Sequence, residues 1–111
     1  MPPVHRLDKM SEITVTSQNF DQEVLQSTKP VLLDFWAVWC GPCRMLSPVI
    51  SKIAGEHPEI KVGKVNVDEQ PELAERFGIN AIPTVLLIKN GKVVNTSVGY
   101  VSENELLTML G

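Results

Sequence analysis

Cys40 and Cys43 are the only cysteines in the 111-residue chain, and only Gly41 and Pro42 separate them. On a first helical turn, this spacing puts their Cα atoms roughly 5 to 6 Å apart, within the window in which a disulfide closes without backbone movement. The pair is therefore suited to cycling between dithiol and disulfide. Cys40 falls where a helix cap belongs, and its sulfur takes the place of a capping oxygen. Pro42 has no N–H, so the nearest free donor in the first turn is the amide of Cys43, aimed back at Cys40. That donor and the positive end of the helix dipole favour the thiolate and lower the pKa of Cys40. The thiolate is the attacking species in disulfide exchange. Cys40 is expected to be the nucleophile, and Cys43, one turn deeper, the resolving thiol. Two other readings compete, an inert disulfide and half of a zinc site. Zinc needs four ligands in a closed site, and the remaining candidates, His5 and His57, stand at no finger spacing.

Asp34 is the second residue with chemistry to offer, because it interrupts the apolar run Val31 to Trp36. Aspartate is disfavoured in strands and costly to bury unpaired. Desolvation is expected to raise its pKa toward neutrality, as a proton acceptor for Cys43 requires. An edge-strand carboxylate facing solvent is the competing reading. Lys64 is the expected charge partner that tempers the shift. Lysine is rarely buried, so an ordinary surface lysine competes there.

The elements that must position these groups alternate in type. Ile13 to Thr16 is β-branched with period two and predicts a short strand. A helix is predicted from about Gln18 to Gln26, capped by Thr16 or Ser17, with Phe20, Val24 and Leu25 on one face. Val31 to Trp36 reads as a central strand covered on both sides. The next helix runs from about Cys40 to Gly55, carries Leu46, Val49, Ile50 and Ile53 at helical spacing, and should bend at Pro48. Ile60 to Val67 is a third strand, and Pro71 to Phe77 a short helix stopped by Gly78. Thr84 to Lys89 and Lys92 to Val98 flank Asn90-Gly91, a hairpin signal because both turn positions need positive φ. Ser102 and Glu105 form a capping box ahead of Leu106, Leu107 and Leu110. Helix crossovers make the early strands parallel and the tight turn makes the last pair antiparallel. The result is an α/β architecture with a central mixed five-stranded sheet and helices on both faces. A site is expected beyond the carboxyl ends of the parallel strands, where Cys40 lies.

Composition limits the function classes. Hydrophobic residues at 43% and charged residues at 21% fit a globular chain rather than a disordered or fibrous one. A formal charge of −3 provides no basic surface to recruit nucleic acid or acidic lipid. No apolar run approaches the roughly 20 residues of a membrane span, and no apolar segment follows Arg6 and Lys9 as a signal peptide would require. A reducing cytoplasm is the expected compartment, where a lone Cys pair is catalytic or metal-binding. Residues 1 to 10 are expected to form a flexible leader ahead of a domain spanning 11 to 111.

Trp39-Cys40-Gly41-Pro42-Cys43, Asp34 six residues earlier, Lys64 in the third strand, Ile82-Pro83-Thr84 before the hairpin and Gly99 after it together resemble the thioredoxin family, from about Ser11 to Gly111. The resemblance implies the thioredoxin fold and a general protein-disulfide reductase that needs no metal, cofactor or prosthetic group. It implies that Asp34 accepts the Cys43 proton through a water and that Pro83 is cis and faces the cysteines, with substrate backbone pairing along Ile82 to Thr84. A trans proline opening an edge strand is the competing reading for Pro83. Trp39 is expected to be partly exposed, forming with Gly41, Pro42, Ile82, Pro83 and Gly99 an apolar patch for extended polypeptides, whereas Trp36 belongs to the core. Gly99 also reads as a plain strand-end glycine. By resemblance the partners are a thioredoxin reductase and disulfide-containing proteins such as ribonucleotide reductase, peroxiredoxin and methionine sulfoxide reductase, and the chain is a monomer. Val38, Arg44 and Tyr100 depart from the commonest family pattern without removing a catalytic group, which bears on partner preference. A pathway-dedicated electron carrier and a redox-independent binding or chaperone-like module are the alternative functions.

Overall fold

The computed structural model describes residues 11–111. The expected leader, residues 1 to 10, lies outside the described residues. The elements follow in the order β1 (Glu12–Thr14), α1 (Asp21–Leu25), β2 (Val31–Trp36), α2 (Gly41–Glu56), β3 (Lys61–Asn66), α3 (Pro71–Arg76), β4 (Thr84–Lys89), β5 (Lys92–Val98) and α4 (Glu103–Leu110). They build a five-stranded sheet ordered β1-β3-β2-β4-β5. β3 runs parallel to β1 and β2, and β4 runs antiparallel to both β2 and β5.

β2 lies in the middle of the sheet, and its alternation divides the core. Val31, Leu33 and Phe35 pack with Phe20, Val24 and Leu73 on the α1 and α3 face. Leu32 packs with Leu46, Ile50, Ile53 and Leu106 on the α2 and α4 face. Strand side chains repeat every second residue, so Asp34 shares Leu32's face and points toward α2. The mixed sheet and two-sided helical cover match the expected architecture.

Local signals set most boundaries. Asn90 and Gly91 take φ of 53° and 77°, and Gly78 ends α3 at φ 65°. The α4 capping box forms with Ser102 and Glu105. The first helix is shorter than predicted. Thr16 donates its N–H to Asn19 Oδ1 at 2.7 Å, while Asn19 Nδ2 donates to the Thr14 carbonyl at 2.9 Å. Gln18 N–H is held by Thr16 Oγ1. These side chains close a turn that ends β1 early and uses up the predicted first helical residues. What remains, Asp21–Leu25, is a single π-helical turn with no side-chain cap. Phe20 and Val24 still reach the core.

Gly63 on β3 shows how tightly the sheet is covered. A Cβ there would lie 2.7 Å from Val15 Cγ2 and 3.0 Å from Leu33 Cδ1. Both neighbours are buried, and Val15 is stiff at χ1. Gly63→Ala is expected to lower stability by about 1–3 kcal/mol through overpacking, read as a lower urea midpoint at unchanged slope.

Candidate active site

The site is assembled where β2 and β3 end. Cys40 is the cap residue of α2, with φ −90° and ψ 111°, and its sulfur accepts the Cys43 N–H at 3.2 Å. Pro42 occupies the first turn, as the capping argument requires. A disulfide joins Cys40 and Cys43, whose Cα atoms are 5.2 Å apart. Both cysteines pack with Ala37 against Trp36, Val67 and Ile82. Cys40 retains a thin exposed edge, 5% of its surface. Its sulfur lies 3.8 Å from the Ile82 carbonyl oxygen.

The Ile82–Pro83 peptide is cis. Gly99, at φ 89°, donates its N–H to the Pro83 carbonyl at 2.7 Å, which sets the end of β5 beside the cis proline. Gly99 is thus both a strand-end glycine and a neighbour of the site. Thr84 is placed differently from its neighbours. It is buried, pairs with Phe35 on one side and Val98 on the other, and its hydroxyl donates to the Ala81 carbonyl. Its backbone is committed to the sheet.

Asp34 is 1% exposed. Its carboxyl pKa rises to about 7, chiefly because burial disfavours the charged form; the Lys64 ammonium opposes this, and the Glu12 charge adds to it. Lys64 stands opposite Asp34 in the β2–β3 register, with Nζ 3.9 Å from Asp34 Oδ2. Nζ also donates to Ser47 Oγ at 3.2 Å and lies 5.1 Å from the centre of the Trp36 ring. Asp34 Oδ1 is buried without a hydrogen-bond partner. The structure therefore brings Asp34 together with Lys64. Among the described residues, no hydrogen bond joins Asp34 to either sulfur.

Trp39 is 66% exposed beside Cys40, and Gly41 adjoins it on the same rim. A groove of ≈ 200 Å³ runs from Trp39 to Ile82 along Val67, Ile79 and Ala81. Trp36 is half-buried rather than fully enclosed, with Lys64 Nζ over one side of its ring. The sequence reading passed over Asp68, whose Oδ2 accepts the Trp39 indole N–H at 2.8 Å and fixes the ring over the rim. The available signal was position: Asp68 follows the end of β3 at the same sheet edge as Cys40.

The thioredoxin family profile matches residues 11–111. The chain belongs to the thioredoxin family. Among the curated thioredoxins it resembles are that of Rickettsia bellii, 50% identical over 94 residues covering 84% of this chain and 90% of the relative, and thioredoxin 1 of Synechococcus elongatus, 50% identical over 97 residues covering 86% and 91%. The thioredoxin of Pyropia yezoensis is 48% identical over 102 residues, covering 91% of this chain and 95% of that protein. The Cys-Gly-Pro-Cys pair opens a helix at the end of a central strand. Among the described residues no group of three or more His, Cys, Asp or Glu side chains is placed to hold a metal ion, and no helix is long and apolar enough to cross a membrane.

Proposed function

We propose that this thioredoxin-family chain is a general protein-disulfide reductase in which Cys40 attacks and Cys43 resolves. The Cys40 thiolate attacks one sulfur of a substrate disulfide, forming a mixed disulfide and releasing the first substrate thiolate. Asp34 takes the Cys43 proton through a water, and the resulting thiolate attacks Cys40 Sγ. The second substrate thiolate leaves, and Cys40–Cys43 carries the disulfide. Two electrons pass to the substrate, and a thioredoxin reductase drawing on NADPH restores the dithiol.

The observation that carries this reading is the Cys43 N–H donated to Cys40 Sγ at the head of a sixteen-residue helix. Ile82 offers backbone to an extended substrate in strand-addition fashion, while Trp39, Gly41, Pro42, Pro83 and Gly99 border it and Thr84 anchors the turn from inside. Lys64 favours the charged form of Asp34 and so tempers the rise in its pKa. We assign the chain to the cytoplasm as a monomer and to substrates of the peroxiredoxin, ribonucleotide reductase and methionine sulfoxide reductase kinds. Val38 at 61% and Tyr100 at 47% exposure lie in sequence beside this surface and bear on which of these it prefers.

Insulin reduction tests the reading. Precipitation of the insulin B chain is expected to accelerate with dithiothreitol as donor, and again with NADPH and a thioredoxin reductase. A rate equal to that of the donor alone in both arms rules it out.

A further inference from the structure

We propose that Glu12 is a positioning residue of the redox site: held by Ser51 over a cleft between β1 and α2, it stands across Lys64 from Asp34 and its charge helps set the state in which Asp34 meets Cys43. This rests on the proposed role of Asp34.

The sheet order places the groups. β3 lies between β1 and β2, so Lys64 stands on the strand that separates Glu12 from Asp34. Glu12 is in register with Val62, and Val62 packs on the α2 face. Lys64 is two residues beyond Val62, and Asp34 is opposite Lys64. All three charged side chains therefore fall on the side covered by α2.

α2 contributes two hydroxyls one turn apart on the same face. Ser51 Oγ donates to Glu12 Oε2 at 2.8 Å, and Ser47 Oγ accepts from Lys64 Nζ at 3.2 Å. Glu12, Thr14, Ser47, Ser51 and Lys64 line a cleft of ≈ 250 Å³ between them. Glu12 Oε1 and Asp34 Oδ1 are each buried without a hydrogen-bond partner, one on either side of the lysine. Lys64, on the strand between them, lies 3.9 Å from Asp34 and lines the same cleft as Glu12.

The charged and titratable groups around Asp34 are few. β3 contributes Lys64 and β1 contributes Glu12; α2 contributes the cysteine pair when reduced, and β4 presents Val85 opposite Asp34. The Glu12 charge acts on Asp34 across Lys64, in the direction opposite to the lysine and with a smaller effect. Its negative charge favours the protonated acid, so removing it favours the carboxylate.

Glu12→Gln removes that charge and keeps an oxygen for the Ser51 bond. In the oxidised protein, where the cysteines do not titrate, the Asp34 carboxyl ¹³C titration is expected to move down by about 0.3 to 1 pH unit in this variant. Ser51→Ala, which releases Glu12 from the cleft, is expected to move it in the same direction by less. The acid limb of the insulin-reduction profile follows to lower pH, and Glu12→Gln has no effect on that limb in an Asp34→Asn background. A midpoint within 0.1 pH unit of the parent, or a rise, in both folded variants overturns the proposal. Because the titration is read without turnover, a failure of the reductase reading leaves this result separately visible.

Discussion

Replacing Cys43 with serine is expected to turn a catalyst into a trap. The backbone N–H that holds the Cys40 sulfur belongs to residue 43, not to its side chain, so Cys43→Ser keeps the donor and the helix dipole while removing the second thiol. Cys40 then attacks substrate disulfides, and a serine hydroxyl has no means of displacing them. Covalent adducts that dithiothreitol releases are expected to accumulate with insulin or with lysate proteins, and catalytic turnover falls to the rate of the donor alone. In the same variant the alkylation rate of Cys40 is expected to titrate well below about 8.5, the value of a free thiol. Cys40→Ser is expected to lose both turnover and adducts, because the remaining sulfur is 3% exposed and lies inside the helix rather than at its cap. Adducts from Cys40→Ser but none from Cys43→Ser would reverse the assignment of the two thiols.

The site was legible in the sequence where its geometry is local. The cap at Cys40, the proline in the first turn of α2, the paired positive φ at Asn90 and Gly91, and the Ser102–Glu105 box each depend on residues within four positions of one another. Asp34 was legible because a charge in an all-apolar strand has few interpretations. Contacts that depend on register were not. β1 contributes three residues and meets β3 about fifty positions later, so nothing in the alternation of Glu12, Ile13 and Thr14 reveals that Glu12 faces α2. Asp68 has a turn's composition, and only the closure of the sheet edge brings it under Trp39. Thr84 suited an open strand-addition site by sequence, yet pairing on both sides of β4 buries it. The first helix starts later than its sequence predicts for another reason: Thr16 and Asn19 can cap a helix or close a turn, and here they close the turn.

Asp34→Asn is expected to stabilise the protein, and the gain is expected to depend on pH. The carboxyl of Asp34 titrates near 7 in the folded chain, against an ordinary value of 3.8. A raised folded pKa means that the stability contributed by the acid is intact below pH 3.8 and is lost as pH rises through 7, because the unfolded chain ionises freely while the folded one must bury the charge. Each pH unit of that interval costs about 1.4 kcal/mol, giving a full penalty of ~4 kcal/mol above neutrality, a figure that already includes the attraction to Lys64. Asparagine has the same shape and no charge to bury. The variant is expected to match its parent near pH 4 and to exceed it by several kcal/mol at pH 8, moving the urea midpoint of the oxidised protein upward by roughly 1–3 M. An equal gain at both pH values would mean that burial of the charge is not its source. The same substitution removes the acceptor for the Cys43 proton, so insulin reduction is expected to slow, by up to about a hundredfold at neutral pH. Stability rising while turnover falls is the pattern of a carboxylate kept in the core for its chemistry rather than for the fold.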